Sequence, residues 1–202
     1  MRLALDLDNT TADHTDSFKI LAQEFNVPGV FNLGKNEIKD YFLRQDKESI
    51  WTILQGRVYG DAMSSAKPYD GLIDAFQSLM NIISEFQIIS HRSKWAHSGE
   101  KIDLHRSANE WVDEKFSAFS KNVFKGIKLT ETVEAKIDLI NIWNPKVIVD
   151  DLISVIHHPN LKPSIQRVHF NPKAPSSRWV SDNVFEMTDW SDFPNYIREI
   201  LE

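Results

Sequence analysis

Two aspartates stand two positions apart close to the start of the chain, in the stretch Leu3-Ala4-Leu5-Asp6-Leu7-Asp8-Asn9-Thr10-Thr11. On an extended backbone, residues i and i+2 project to the same side, so Asp6 and Asp8 can face one ligand. Such a pair suits a calcium loop, but that loop needs Gly at its sixth place and a bidentate Glu at its twelfth. Those places hold Thr11 and Ser17. It also suits attack on a phosphate monoester. A carboxylate repels the phosphate dianion unless a divalent cation and fixed donors neutralise the charge. With them in place one carboxylate acts as nucleophile, while the other protonates the leaving oxygen and later takes a proton from water. Candidate supporting groups follow downstream: Ser90 after Phe86-Gln87-Ile88-Ile89, Lys136 at the start of a helical pattern, and Asp150-Asp151 after Val147-Ile148-Val149.

Each supporting residue also has a plainer reading. Ser90 could be a turn residue at a strand end, and Lys136 one solvated lysine beside Lys125 and Lys128. Asp151 suits either a metal site or the N-cap of the following segment. His91 and Arg92 come directly after Ser90 and could reach a substrate phosphate, although a loop Arg is often simply solvated. His157-His158 are adjacent and lack a partner one helical turn away, so they read as structural.

The elements that must carry these groups are legible as apolar runs. Leu3 to Leu7 is apolar without alternation, as in a strand buried on both faces, and Phe86 to Ile89, Lys146 to Val149 and Gln166 to Phe170 are similar. Between them, Leu72, Phe76, Leu79, Met80 and Ile83 share a helical face, as do Ile137, Ile140 and Trp143, and Phe193, Ile197, Ile200 and Leu201. Strands alternating with helices predict an α/β, doubly wound parallel sheet. Residues 12–67 break the alternation: they are helical in pattern, with turn signals at Val27-Pro28-Gly29 and Gly34. They read as a helical cap inserted after strand 1, leaving residues 1–11 and 68–202 as the core. Ligands of open α/β sheets sit beyond the carboxyl ends of the strands, and an insertion at that end is expected to lie over the site.

The 202 residues suffice for one domain with a modest insertion. With no cysteine there is neither a disulfide framework nor a thiolate metal site, which suits a reducing compartment, with cytoplasm as the default. Early carboxylates interrupt any signal-peptide core, and no apolar run approaches a membrane span. A formal net charge of -6 argues against broad binding to polymeric nucleic acid.

Taken in order, Asp6-Leu7-Asp8-Asn9-Thr10, Ser90, Lys136 and Asp150-Asp151 resemble the four motifs of the haloacid dehalogenase superfamily, and the likeness spans nearly the whole chain. The resemblance implies a Rossmann-like core, a covalent aspartyl-phosphate on Asp6, and Mg²⁺ held by Asp6, the backbone carbonyl of Asp8, and Asp150; of the two readings of Asp151 open above, the metal-site carboxylate is preferred. It also implies that Ser90 and Lys136 bind the transferring phosphoryl group and that Thr10 marks a phosphatase-type first motif; Arg92 is a further phosphate-binding candidate. Position 9 departs from the family's usual Gly, and Asn also tolerates unusual backbone angles. Receiver domains of signalling relays use similar parts for binding rather than turnover, but their acidic pair precedes a lone acceptor in a shorter chain. Within the superfamily, the cap position and Lys67-Pro68-Tyr69-Asp70-Gly71 are similar to the 5′(3′)-deoxyribonucleotidase branch, which implies a nucleotide substrate. Phosphosugar phosphatases and polynucleotide 3′-phosphatases are the alternatives. The cap aromatics Phe18, Phe25, Phe31, Tyr41, Trp51 and Tyr59 could stack a base, or form the core of the cap itself.

Overall fold

The computed structural model describes residues 1–202. Its strands are β1 (Arg2–Leu5), β2 (Ala12–Asp13), β3 (Lys67–Pro68), β4 (Glu85–His91), β5 (Phe124–Thr130), β6 (Val147–Asp150), β7 (Gln166–Phe170), β8 (Arg178–Ser181) and β9 (Val184–Met187). Seven of them form one sheet in the order β5-β4-β1-β6-β7-β9-β8, and β2 and β3 form a separate ribbon. Every pairing in the large sheet is parallel except that of β8 with β9. Numbered in chain order, its parallel strands run 3-2-1-4-5-6, the doubly wound dinucleotide-fold order. Receiver domains have the order 2-1-3-4-5 instead, so the topology separates this chain from them. The order reverses at β1, so the crevice beyond the carboxyl ends of β1 and β6 is where such a sheet offers a ligand site.

The inner strands read as continuous apolar runs because both of their faces are covered. One face carries Ala4, Ile89 and Ile148, which pack with Ile137 and Ile140 of helix α6 (Val133–Trp143) and Val155 of α7 (Ile153–Ile156). The other carries Phe86, around which Phe76, Phe119 and Phe124 gather, with ring centroids 4.7, 5.2 and 4.8 Å away. Each such side chain, fully buried, contributes about 1.5–3 kcal/mol, which makes the sheet a rigid platform. Among the core helices, α4 (Leu72–Ser78) stops earlier than its pattern suggests, leaving Met80 part-exposed in the turn that follows. The remaining core helices are α6 (Val133–Trp143), α7 (Ile153–Ile156) and α8 (Phe193–Glu199). No helix is long and apolar enough to cross a membrane.

The chain divides into two compact units. The first is Met1–Ala12, Pro68–His91 and Phe116–Glu202, and the second is Asp13–Lys67 together with Arg92–Lys115. The second therefore takes in a stretch that the sequence reading left with the core. Its helices are α1 (Thr15–Gln23), α2 (Lys35–Leu43), α3 (Glu48–Tyr59) and α5 (Leu104–Lys115). Phe18, Ile38, Phe42, Trp51, Leu54 and Val58 make its core. The 92–115 stretch joins them because two glycines of the α3 region leave room for it: a Cβ at Gly56 would lie 2.9 Å from the Ala96 side chain, and one at Gly60 2.3 Å from Ile102.

Strand β5 escapes sequence inspection because Lys125, Gly126 and Lys128 dilute its apolar pattern. Gly126 adopts φ +75° where the register between β4 and β5 shifts, a bulge that a side chain would strain.

Candidate active site

β1 ends at Leu5, but the amide of Asp6 still donates to the Val149 carbonyl of β6 at 2.9 Å, so the strand pairing holds Asp6 at the switch point. Beyond it the chain turns sharply. The amides of Thr11 and Ala12 both donate to the Leu7 carbonyl, at 3.0 and 2.8 Å, and Asn9, inside the loop these bonds close, lies in the left-handed region at φ 59°. Asn is among the few side-chain-bearing residues that accept this geometry readily. The Thr11 hydroxyl donates to the carbonyls of Asp6 and Leu7, both at 3.1 Å. From elsewhere in the core, Tyr69 N donates to Thr11 O and the indole of Trp190 to Thr10 O, each at 3.0 Å. Thr11 and Trp190 thus brace the loop, roles the sequence did not signal; Trp190 is 180 residues away from its partner.

Lys136 enters from the first turn of α6, whose N-cap Thr132 accepts from Ala135 N at 3.1 Å. Its side chain is 1% exposed, which disposes of the solvated-lysine reading. The ammonium donates to Asp6 Oδ1 at 2.5 Å and to Asp150 Oδ2 at 2.6 Å. The second oxygen of Asp150 accepts from Leu152 N at 2.9 Å. Burial works against the Lys136 cation, but the carboxylates of Asp150 and Asp6 outweigh it and hold the ammonium protonated well above the usual lysine range. Asp150 nevertheless stays high: burial, aided by the Asp6 charge and opposed by Lys136, pushes it up to about 6. One ammonium does not neutralise two buried carboxylates.

Oxygens of Asp6, Asp150 and Asp151 lie within 4.8 Å of one another. With all three ionised beside Lys136, the cluster carries a formal charge of 1 − 3 = −2. A hard, all-oxygen donor set with that excess charge fits a divalent cation such as Mg²⁺. Asp151 does not cap α7, whose N-cap is Leu152. Its carboxylate instead belongs to this group.

The other candidates are distributed as follows. Asp8 is half-buried on the loop and stands outside the three-carboxylate group. Ser90 is buried at the carboxyl end of β4, directly beside β1, where its carbonyl accepts from the Thr130 hydroxyl at 3.3 Å. Thr10 is buried with its hydroxyl lacking a hydrogen-bond partner among protein atoms. Arg92 comes two positions after Ser90 in the chain. It belongs to the second unit, where its guanidinium donates to the carbonyls of Tyr59 and Leu104, both at 3.3 Å, and lies 5.4 Å from the Tyr59 ring centre. Among the aromatics of that unit, Phe18 and Trp51 stack on each other at 5.4 Å and are buried, whereas Phe31 is exposed. His91 is exposed, with its Nε2 3.0 Å from the Glu131 carbonyl.

No family model and no curated protein matches the chain in sequence. Solved structures do match it in shape. A haloacid dehalogenase-like family hydrolase from Xanthomonas campestris superposes with a TM-score of 0.58 at 9% identity, covering 99% of this chain and 95% of the other. A HAD phosphatase from Thermococcus onnurineus gives 0.55 at 13% identity, over 99% and 97%. The HAD-hydrolase-type protein YfnB of Bacillus subtilis, in a structure described as bound to magnesium, gives 0.53 at 12% identity, over 97% of each chain. The chain therefore has the α/β fold of haloacid dehalogenase-like hydrolases, a seven-stranded Rossmann-like sheet flanked by helices.

Proposed function

We propose that this chain is a Mg²⁺-dependent phosphomonoester hydrolase that works through a phosphoryl group carried on Asp6. The observation that carries the reading is the convergence of Asp6, Lys136, Asp150 and Asp151 at the switch point of the sheet, with Lys136 bridging Asp6 and Asp150. Asp6, Asp150 and Asp151 would hold the cation, which when bound supplies charge neutralisation for the substrate dianion and the attacking carboxylate.

The rest of the chemistry falls to the chain's own groups. An Asp6 oxygen attacks phosphorus, a P–O bond forms to the carboxylate, and the bond to the leaving alkoxide breaks as Asp8 delivers a proton to it. Asp8, now ionised, takes a proton from water as that water attacks the same phosphorus. Inorganic phosphate departs and the Asp6 carboxylate is restored. Lys136 offsets negative charge at Asp6 throughout, and the Ser90 and Thr10 hydroxyls are suited to donate to phosphoryl oxygens. The sharp turn at Asn9 keeps Asp6 and Asp8 on one short, braced segment, as a shared phosphorus requires.

For the substrate we propose a nucleoside monophosphate in a cytoplasmic setting, supported by the acidic net charge, which favours small phosphates over polymeric nucleic acid. The deciding experiment is a panel of kcat/KM values for deoxynucleotides, ribonucleotides, ribose 5-phosphate and a 3′-phosphorylated oligonucleotide, with Mg²⁺ present. Preference for the sugar phosphate or the oligonucleotide would replace the nucleotide reading with a phosphosugar or polynucleotide 3′-phosphatase. Absence of hydrolysis across the panel would count against the enzyme itself.

A further inference from the structure

A row of polar residues crosses the sheet at the carboxyl end of β6. Asp150 on β6 is in register with His169 on β7, His169 with Glu186 on β9, and Glu186 with Arg178 on β8. The row ends at the carboxylate cluster. His169 is only part-exposed; its Nε2 lies 3.2 Å from the Asp151 carbonyl and its Nδ1 3.5 Å from Glu186 Oε1. A carbonyl only accepts, so Nε2 carries the hydrogen and donates it. Glu186 is itself anchored twice: Asn171 Nδ2 donates to Oε1 at 3.2 Å, and Arg178 lies 3.2 Å from Oε2.

The peptide between Asp151 and Leu152 is thereby gripped at both ends. Its carbonyl accepts from His169, and its N–H donates to Asp150 Oδ1 at 2.9 Å. Asp151 lies past the end of β6, where the ladder no longer restrains the backbone. With the following peptide plane held, the direction of its Cα–Cβ bond is restricted, and so is the aim of its carboxylate at Asp6 and Asp150.

We infer that His169 is a positioning residue for the cation site, acting on Asp151 through the backbone. The inference rests on the reading of Asp6, Asp150 and Asp151 as a divalent-cation site. Outer groups that orient metal ligands typically change affinity by about 10–100-fold when removed.

The test is calorimetric titration of Mg²⁺ into the full-length protein at pH 7.5, with melting temperatures in EDTA as the control for folding. His169→Leu should bind Mg²⁺ at least about tenfold more weakly than the unaltered chain. His169→Gln, which restores an N–H of similar reach, should recover most of the affinity. In turnover assays, His169→Leu should raise the Mg²⁺ concentration for half-activation while kcat at saturating Mg²⁺ is largely kept, a split that general loosening of the core would not give. Unchanged Mg²⁺ affinity in His169→Leu, with the unaltered chain binding normally, overturns the inference alone. Failure of the unaltered chain to bind any Mg²⁺ overturns the cation-site reading and this inference with it. Should His169→Leu not fold, His169→Phe, which keeps a ring but has no N–H to donate, takes its place: weaker Mg²⁺ binding supports the inference, and unaltered affinity overturns it.

Discussion

The Lys136 ammonium and the Asp6 carboxylate meet at 2.5 Å although 130 positions separate them in the chain. Both side chains are almost wholly buried. The pair therefore ties the start of α6 to the end of β1, and it governs how each residue responds to substitution.

Asp6→Asn should abolish phosphatase turnover while leaving the fold intact, because an amide is a poor nucleophile. The metal-free protein should melt no lower than the unaltered chain, since the substitution removes one of two buried carboxylates competing for a single ammonium. Activity and thermal melts on the same preparation check this, and retained turnover would sink the covalent mechanism.

Asp8→Asn should leave attack possible but deny the leaving oxygen its proton, a loss of roughly 10²–10⁴-fold for a general acid–base residue. The loss in kcat/KM, which reports the step in which the leaving group departs and not the later attack of water, should be large for alkyl phosphates and much smaller for p-nitrophenyl phosphate, whose leaving group needs no proton. Equal losses on both substrates would remove Asp8 from that role.

Lys136→Met leaves Asp6 and Asp150 buried without their cation, a change that costs about 3–5 kcal/mol when one partner of a buried pair is removed. Urea unfolding in EDTA should show the loss. Added Mg²⁺ should restore part of the stability, as a cation bound to the folded state alone stabilises it by mass action; identical curves with and without Mg²⁺ would argue against cation binding at these carboxylates.

EDTA should stop hydrolysis and Mg²⁺ restore it, with Ca²⁺ a poor substitute because its looser shell misplaces the phosphoryl group. Metal binding needs Asp150 ionised, and burial holds this group up to about 6 in the metal-free chain. Protons should therefore compete with Mg²⁺ below that pH, and the half-activating concentration should rise by about tenfold per unit as pH falls further. The linked effect on folding has a definite sign. The folded carboxyl binds its proton more tightly than the unfolded one, so its contribution to stability is present below its ordinary pKa and is lost as pH rises to about 6. Half-activation constants measured from pH 5 to pH 8 check the first point; a value independent of pH would contradict it.

Much of the site could be read from the sequence because its parts are local. Asp6 and Asp8 sit on one short segment, Ser90 and Asp150 end apolar runs of strand length, and Asn9 is a residue type suited to the positive φ it adopts. The apolar runs also announced a doubly wound sheet, since a strand covered on both faces has no polar alternation. Tertiary structure decided what depends on distant neighbours. Lys136 reads the same in sequence whether solvated or buried, and only packing α6 against the sheet encloses it between two carboxylates. That the Arg92 guanidinium donates to the carbonyls of Tyr59 and Leu104 is likewise invisible in the sequence, because those partners lie 33 and 12 positions away. His169 lies in a strand whose local pattern carries no chemical signal, and it meets the Asp151 carbonyl only because β7 is in register beside β6. Periodicity and residue type report a residue's own backbone and face; the partner of a buried charge is set by which strands lie side by side.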